Sequence, residues 1–233
     1  MKIKIVNIVI LLATLVGTLI CLSYMPDIVP VHFDIHGVAD RWGSKYENLL
    51  MPGCMAAMIA LWFGVDAGFR KTIKQSTDEK AVAEAKANIK VLDVTFTAVS
   101  VMFTFLNFSI LYMCASQIDG FVSNEIDIMK IVTILLGASF VILGNVMPKA
   151  RNNATVGFRL PWTRFNDVTW QKCNRVAGIA MVVSGALSII AGLVFDGMLA
   201  ITAMLFITFL TITAITIYAY EAYRKEKGNE KES

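Results

Sequence analysis

Charge is scarce in this 233-residue chain: Asp, Glu, Lys and Arg make up 17% of it, where soluble domains carry roughly a quarter. Histidine is scarcer still, with two residues, both inside the stretch VPVHFDIHGVADRWGSK at 29–45. There is no C-x-x-C pair among the four cysteines, no H-E-x-x-H and no glycine-rich phosphate loop. These absences argue against a zinc finger, a zincin-type hydrolase and a nucleotide-binding loop. A formal charge of +3 is too small to suggest direct binding of nucleic acid. What the chain has instead is oil: 56% hydrophobic residues and a mean hydropathy of +0.63, which together mark a membrane protein. Cys21, Cys54, Cys114 and Cys173 then read as small buried hydrophobes.

A hydrocarbon core about 30 Å thick needs roughly 20 apolar residues in a helix. Six segments meet that demand, at 5–24, 49–69, 91–115, 128–146, 176–195 and 198–220. The first lacks a small-residue cleavage site and reads as a retained span rather than a signal peptide. All of the 21 Lys and Arg except Arg41, Lys45 and Lys130 fall at the amino terminus, after spans two and four, or in the tail. The positive-inside rule therefore predicts a multi-pass membrane protein with both termini in the cytoplasm. The expected fold is an all-α integral membrane protein of six transmembrane helices, with a short strand-like outer segment and a folded cytoplasmic loop. It divides into a two-span unit at 1–70 with an outer loop at 25–48, a basic cytoplasmic loop and helical extension at 71–90, and spans three and four at 91–147. A motif loop at 148–175, a two-span hairpin at 176–220 and a charged, disordered tail at 221–233 complete it. Ser76 and Glu79 have the spacing of a capping box, and Ser184, Ser188 and Gly192 form a small-residue packing stripe.

The outer segment alternates Val31, Phe33 and Ile35 with His32, Asp34 and His36 after Pro30, and Gly37 ends it. A strand sends alternate side chains to opposite faces, so the two histidines and the aspartate share one face. With Asp40 returning from the turn, His32, Asp34 and His36 are candidate zinc ligands, or pH-sensing groups. The competing reading is a plain wet face, because strand positions two apart are separated by about 6.5 Å and no second histidine pair exists. The expectation is no metal.

The second concentration of unusual residues is GNVMPKARNNATVGFRLPWTRFNDVTWQKCNRVAGIA, residues 144–180. Pro148 stops span four and Gly157 tolerates special dihedrals. Arg159 suits bidentate pairing with a carboxylate or phosphate, and Trp162 can wedge the loop against the bundle. A loop of this kind is topogenic charge plus aromatic anchors on the one reading, and a folded basic cap on the other.

These residues resemble the SdpI family of bacterial membrane immunity proteins, whose inner motif runs approximately G-N-x-x-P-K-x-x-x-N-x-x-x-G-x-R-T-P-W-T, then a Trp and Thr-His-Arg. Gly144, Asn145, Pro148, Lys149, Asn153, Gly157, Arg159, Pro161, Trp162, Thr163, Trp170 and Arg175 match it. The outer segment is similar to the family's amino-terminal domain at Pro30, His32, Phe33, Gly37, Asp40 and Lys45. Leu160, Arg164 and Cys173-Asn174 depart from the pattern, the last pair replacing Thr-His, so a histidine function at that place is not open to this chain.

The resemblance implies an immunity or sensor protein, not an enzyme and with no cofactor, that guards the cell against a membrane-active peptide toxin. Its implied partners are membrane lipid, a secreted peptide toxin outside and a cytoplasmic repressor docking on the inner loop. Two other classes compete. A transporter or channel is weakly supported, because Asp66, Asp93 and Lys130 lie near span ends and mid-span polarity is limited to groups such as Asn107. A metal-dependent membrane enzyme would have to rely on the outer His32, Asp34 and His36.

Overall fold

The computed structural model describes residues 2–34, 38–118 and 127–232, with side chains through Glu230. Six helices among them are long and apolar enough to cross a membrane: α1 (Lys2–Tyr24), α2 (Leu50–Gln75), α3 (Glu79–Ser116), α4 (Ile128–Val146), α5 (Asp167–Val194) and α6 (Gly197–Glu232). Between α1 and α2 stand two antiparallel strands, β1 (Ile28–Phe33) and β2 (Ala39–Ser44), followed by a 3-10 turn at Lys45–Leu49. The chain is a multi-pass, all-α membrane protein with one small sheet among the described residues.

Short polar side chains start the helices by accepting the first unpaired amide hydrogens. Asp78 takes Lys80 N at 2.9 Å, Asp127 takes Met129 N at 2.9 Å, and Asn166 takes Thr169 N at 2.8 Å. The capping box expected at Ser76 and Glu79 is not formed. Ser76 accepts Asp78 N instead, since the helix begins only at Glu79 and leaves Asp78 in the capping position. The Ala-rich residues Ala81–Ala87 lie within α3, which starts ahead of the apolar span at 91.

The helices pack as two groups of three, α1 with α2 and α3, and α4 with α5 and α6, with α3 against α4 between them. The groups are held by different chemistry. Along α4 and α5 the backbones touch: a Cβ added to Gly178 would lie 2.6 Å from the Gly144 carbonyl oxygen, and one on Gly185 would lie 2.5 Å from that of Gly137. Ser184, Ser188 and Gly192 of the predicted stripe are all buried, and the close approach falls on Gly178, Gly185 and Gly192, seven residues apart. Along α1 and α3 the seam is polar. Asn7 Nδ2 donates to Thr97 Oγ1 at 2.8 Å, Thr14 and Thr104 share a hydrogen bond of 2.8 Å, and Asn107 Nδ2 donates to Thr18 Oγ1 at 2.9 Å. Mid-span polarity is thus a ladder rather than the single Asn107. Each such bond contributes about 0.6 kcal/mol between helices in a bilayer.

Two further expectations are corrected. Residues 221–232 continue α6 as helix instead of forming a disordered tail. Glu226 holds Lys172 at 2.5 Å, Glu230 accepts from Asn166 at 3.0 Å, and Tyr223 meets the Phe165 ring edge-on, so the charges that suggested solvation are paired with neighbours distant in sequence. The cysteines also divide. Cys114 and Cys173 are buried, but Cys54 is exposed on the outside of α2, because a bilayer rewards an outward apolar residue as well as an inward one.

Candidate functional site

The amino terminus, the α2–α3 turn, the α4–α5 loop and the end of α6 gather at one end of the bundle, and the β hairpin stands at the other. At the first end residues 147–166 form a folded cap, and the shared motif supplies its joints. A 3-10 turn at Met147–Lys149 carries the chain off α4, with the Pro148 ring against Gly178. Ala150 is buried, and its carbonyl accepts the Trp170 indole N–H at 2.9 Å. Asn153 folds the loop on itself: its Oδ1 accepts the Thr155 and Val156 amides at 2.6 and 2.7 Å, and its Nδ2 donates to the Val156 carbonyl at 3.0 Å. Gly157 follows at φ +112°, where a Cβ would strike Asn174 Oδ1 and the Trp170 ring. Thr163, fully buried, accepts Leu160 N at 2.9 Å and has the carbonyl of Phe158 2.9 Å away. Trp162 meets the Tyr220 ring edge-on, as a wedge against the bundle would.

The remaining motif residues face outward. Asn145, Lys149, Arg159, Pro161 and Arg175 are exposed. Arg159 bonds the Ala154 carbonyl and also lines the mouth of a cleft. Hence the motif has two parts, a set that folds the cap, with Thr163 and Trp170 fully buried, and an exposed set that includes the basic Lys149, Arg159 and Arg175. Lys172 beside them has its pKa raised by its hydrogen bond to Glu226.

Three residues that close the cap carried no signal in the motif. Asn174 Oδ1 accepts Phe158 N at 2.8 Å while its Nδ2 donates to the Trp170 carbonyl at 3.1 Å. Asn88 of α3 accepts Arg151 N at 2.8 Å, and Lys80 at the start of α3 pairs with Asp167 at 2.5 Å. Beside the cap, buried Asp66 accepts from Arg70 at 2.7 Å and pairs with Lys4, which ties α1 to the end of α2.

At the opposite end the hairpin rests on α3. Val29 and Pro30 are buried, and Cys114 Sγ donates to the Pro30 carbonyl at 3.0 Å. Lys45 clamps the strand ends to α1 through the Met25 carbonyl at 3.2 Å and Asp27 at 3.1 Å. The pattern of one polar face is altered by the second strand, which brings Asp40 Oδ1 to within 2.6 Å of exposed His32 Nδ1. Asp34 accepts Val38 N at 2.9 Å, with Phe33 half-buried beside it. His36 and Gly37 lie outside the described residues. No three His, Cys, Asp or Glu side chains converge on a metal position among the described residues.

These two ends coincide with the segments that relate the chain to known proteins. Residues 149–220 match the SdpI/YfhL protein family, and residues 9–56 match a domain of unknown function, DUF1648. The chain is 23% identical over 229 residues to the immunity protein SdpI of Bacillus subtilis (strain 168), covering 98% of this chain and all of that protein. No solved structure matches this chain. The SdpI/YfhL segment begins at Lys149 and so contains the cap, α5 and most of α6, whereas DUF1648 contains most of α1 and the whole hairpin. Asn88 and Cys114, which join α3 to each, lie in neither.

Proposed function

We propose that this chain is an integral-membrane immunity protein, like the relative whose name carries that word, and that it protects its cell by recognising a membrane-active peptide at the hairpin and altering the cap. The carrying observation is α3. One uninterrupted helix touches the hairpin through Cys114 and the cap through Asn88, 26 residues and about 39 Å apart. A rigid rod gripping both elements is a physical means of coupling them, provided that the ligand binds the two states unequally. The basic surface of Lys149, Arg151, Arg159, Arg164 and Arg175 is then the docking face for an acidic cytoplasmic partner such as a repressor.

The orientation belongs to the same proposal: the cap and both termini in the cytoplasm, the hairpin outside. It is supported by the side on which Lys and Arg collect. Expression in a toxin-sensitive host tests protection, with survival as the readout and Asn88→Ala as the variant that removes the hydrogen bond from α3 to the cap. Equal killing with and without the wild-type protein, across a panel of secreted peptides, refutes it. Reporter fusions within 149–172 and after 230 test the sidedness.

A second reading draws on the α1–α3 polar ladder, where Asn7 Oδ1 and Ser100 Oγ are buried without a partner among the described residues. Such a seam suits a narrow conduit for small ions. Flux into proteoliposomes separates this reading from the first.

A further inference from the structure

We propose that the cleft between the two three-helix groups is a binding site for an anionic phospholipid, with one acyl chain in the cleft and the phosphate on Arg159. The cleft has a volume of about 490 Å³ and runs along the cap-side half of the bundle, within the range of small-molecule sites, roughly 300–1,000 Å³. Its walls are Leu61 and Val65 of α2, Phe96 of α3, Leu143 of α4 and Met181 of α5. All of them belong to the apolar spans, so the cavity lies at hydrocarbon depth.

An apolar space of this kind stays dry. The solvent that surrounds it is lipid, and Leu61, 66% exposed, shows that the wall is open to that solvent. A lipid tail is therefore the occupant that costs least to admit. The charge sits at one end only. Arg159 lines the mouth where the cap loop crosses the cleft, at headgroup depth relative to the walls. Its planar fork matches a phosphate's oxygens better than a compact ammonium does. Val156 of the same loop packs against both the Trp62 core and the Trp170 core, which fixes the height of the loop over the cleft. An apolar channel closed at headgroup level by a cation is complementary to a lipid with a net negative head. A zwitterionic head sets its own cation against Arg159 and gains less. This inference does not depend on the immunity reading, since a lipid can seat here whether or not a toxin is met at the hairpin.

The test uses the full chain purified in mild detergent and incubated with equal phosphatidylglycerol and phosphatidylcholine, the retained lipid being counted by native mass spectrometry. Wild type is expected to retain phosphatidylglycerol at least fivefold over phosphatidylcholine. Arg159→Gln should bring that ratio close to one, and Leu61→Trp, which fills the cleft and leaves the cap untouched, should lower retention of both lipids. Glycerol phosphate, the head without its tails, should fail to displace the bound lipid. Parity in the wild type, a preference surviving Arg159→Gln, or retention unchanged in Leu61→Trp each overturns the proposal. So does displacement by glycerol phosphate as effective as by lipid, which would mark a free-anion site. If Arg159→Gln loosens the cap, as increased tryptic cleavage would report, the Leu61→Trp result decides alone.

Discussion

Asn174→Leu removes the two hydrogen bonds that Asn174 makes and replaces its carboxamide with an apolar group of equal heavy-atom count. In the native protein the half-buried Phe158 donates its amide to Asn174 Oδ1 at 2.8 Å, while Asn174 itself is fully buried. Leucine fills the position and accepts nothing. A buried N–H without a partner costs about 1–3 kcal/mol. The Trp170 carbonyl, which Asn174 Nδ2 also reaches, is part of a helix and loses less. Undocking the cap exposes Phe158 to water and removes that penalty, so the undocked population should rise about 5- to 150-fold, tenfold for each 1.4 kcal/mol. Trypsin reads this population directly, because Arg151, Arg159 and Arg164 all sit in the loop and cleavage follows the open fraction when closing is fast. The initial cleavage rate of detergent-solubilised protein should rise by the same factor, with the helical circular dichroism unchanged. A rate within twofold of wild type would refute the assignment of Asn174 as the clamp.

Other substitutions probe the remaining joints. Gly185→Leu places a side chain where even a Cβ lies 2.5 Å from the Gly137 carbonyl oxygen, and overpacking of this kind should cost about 1–3 kcal/mol and lower Tm. Gly64→Ala, with nothing within 4 Å of the new methyl, should leave Tm equal or higher by the helix propensity of about 0.5–1 kcal/mol. Asp66→Asn removes the shared partner of Lys4 and Arg70; because both cations reach solvent, the loss should fall below the roughly 3–5 kcal/mol of a stranded buried charge, measured as a Tm drop that Gly64→Ala does not share. Cys114→Ala should speed amide hydrogen exchange in residues 28–33 severalfold without changing exchange in the cap, since the bonds it removes, to the Pro30 carbonyl and to Asn48 Oδ1, both lie at the hairpin end.

The family motif was legible as a motif but not as a division of labour. Pro148 and Gly157 announced a folded loop with turns, and residues 147–166 form one. That Asn174 completes it could not be read, because Asn at the start of a helix has many ordinary uses and its partner Phe158 lies 16 residues away. The hairpin was half legible. β1 alternates visibly, whereas the sequence of β2, Ala-Asp-Arg-Trp-Gly-Ser, has little strand propensity and is held by pairing with β1. The tail misled for the opposite reason, since Glu226 and Glu230 look solvated until Lys172 and Asn166 come into view.

Composition and hydropathy alone pointed to six crossings, because a bilayer admits only helices and closed barrels and the long unbroken apolar runs fit helices, and the placement of Lys and Arg carried the prediction of sidedness. Which helix meets which was decided only in three dimensions. The glycine contacts of α4 with α5, the polar ladder of α1 with α3 and the reach of α3 from Cys114 to Asn88 all depend on side chains that are unremarkable locally. In lipid, apolar burial does not distinguish one helix face from another, so close backbone contact and hydrogen bonds between distant residues make the choice.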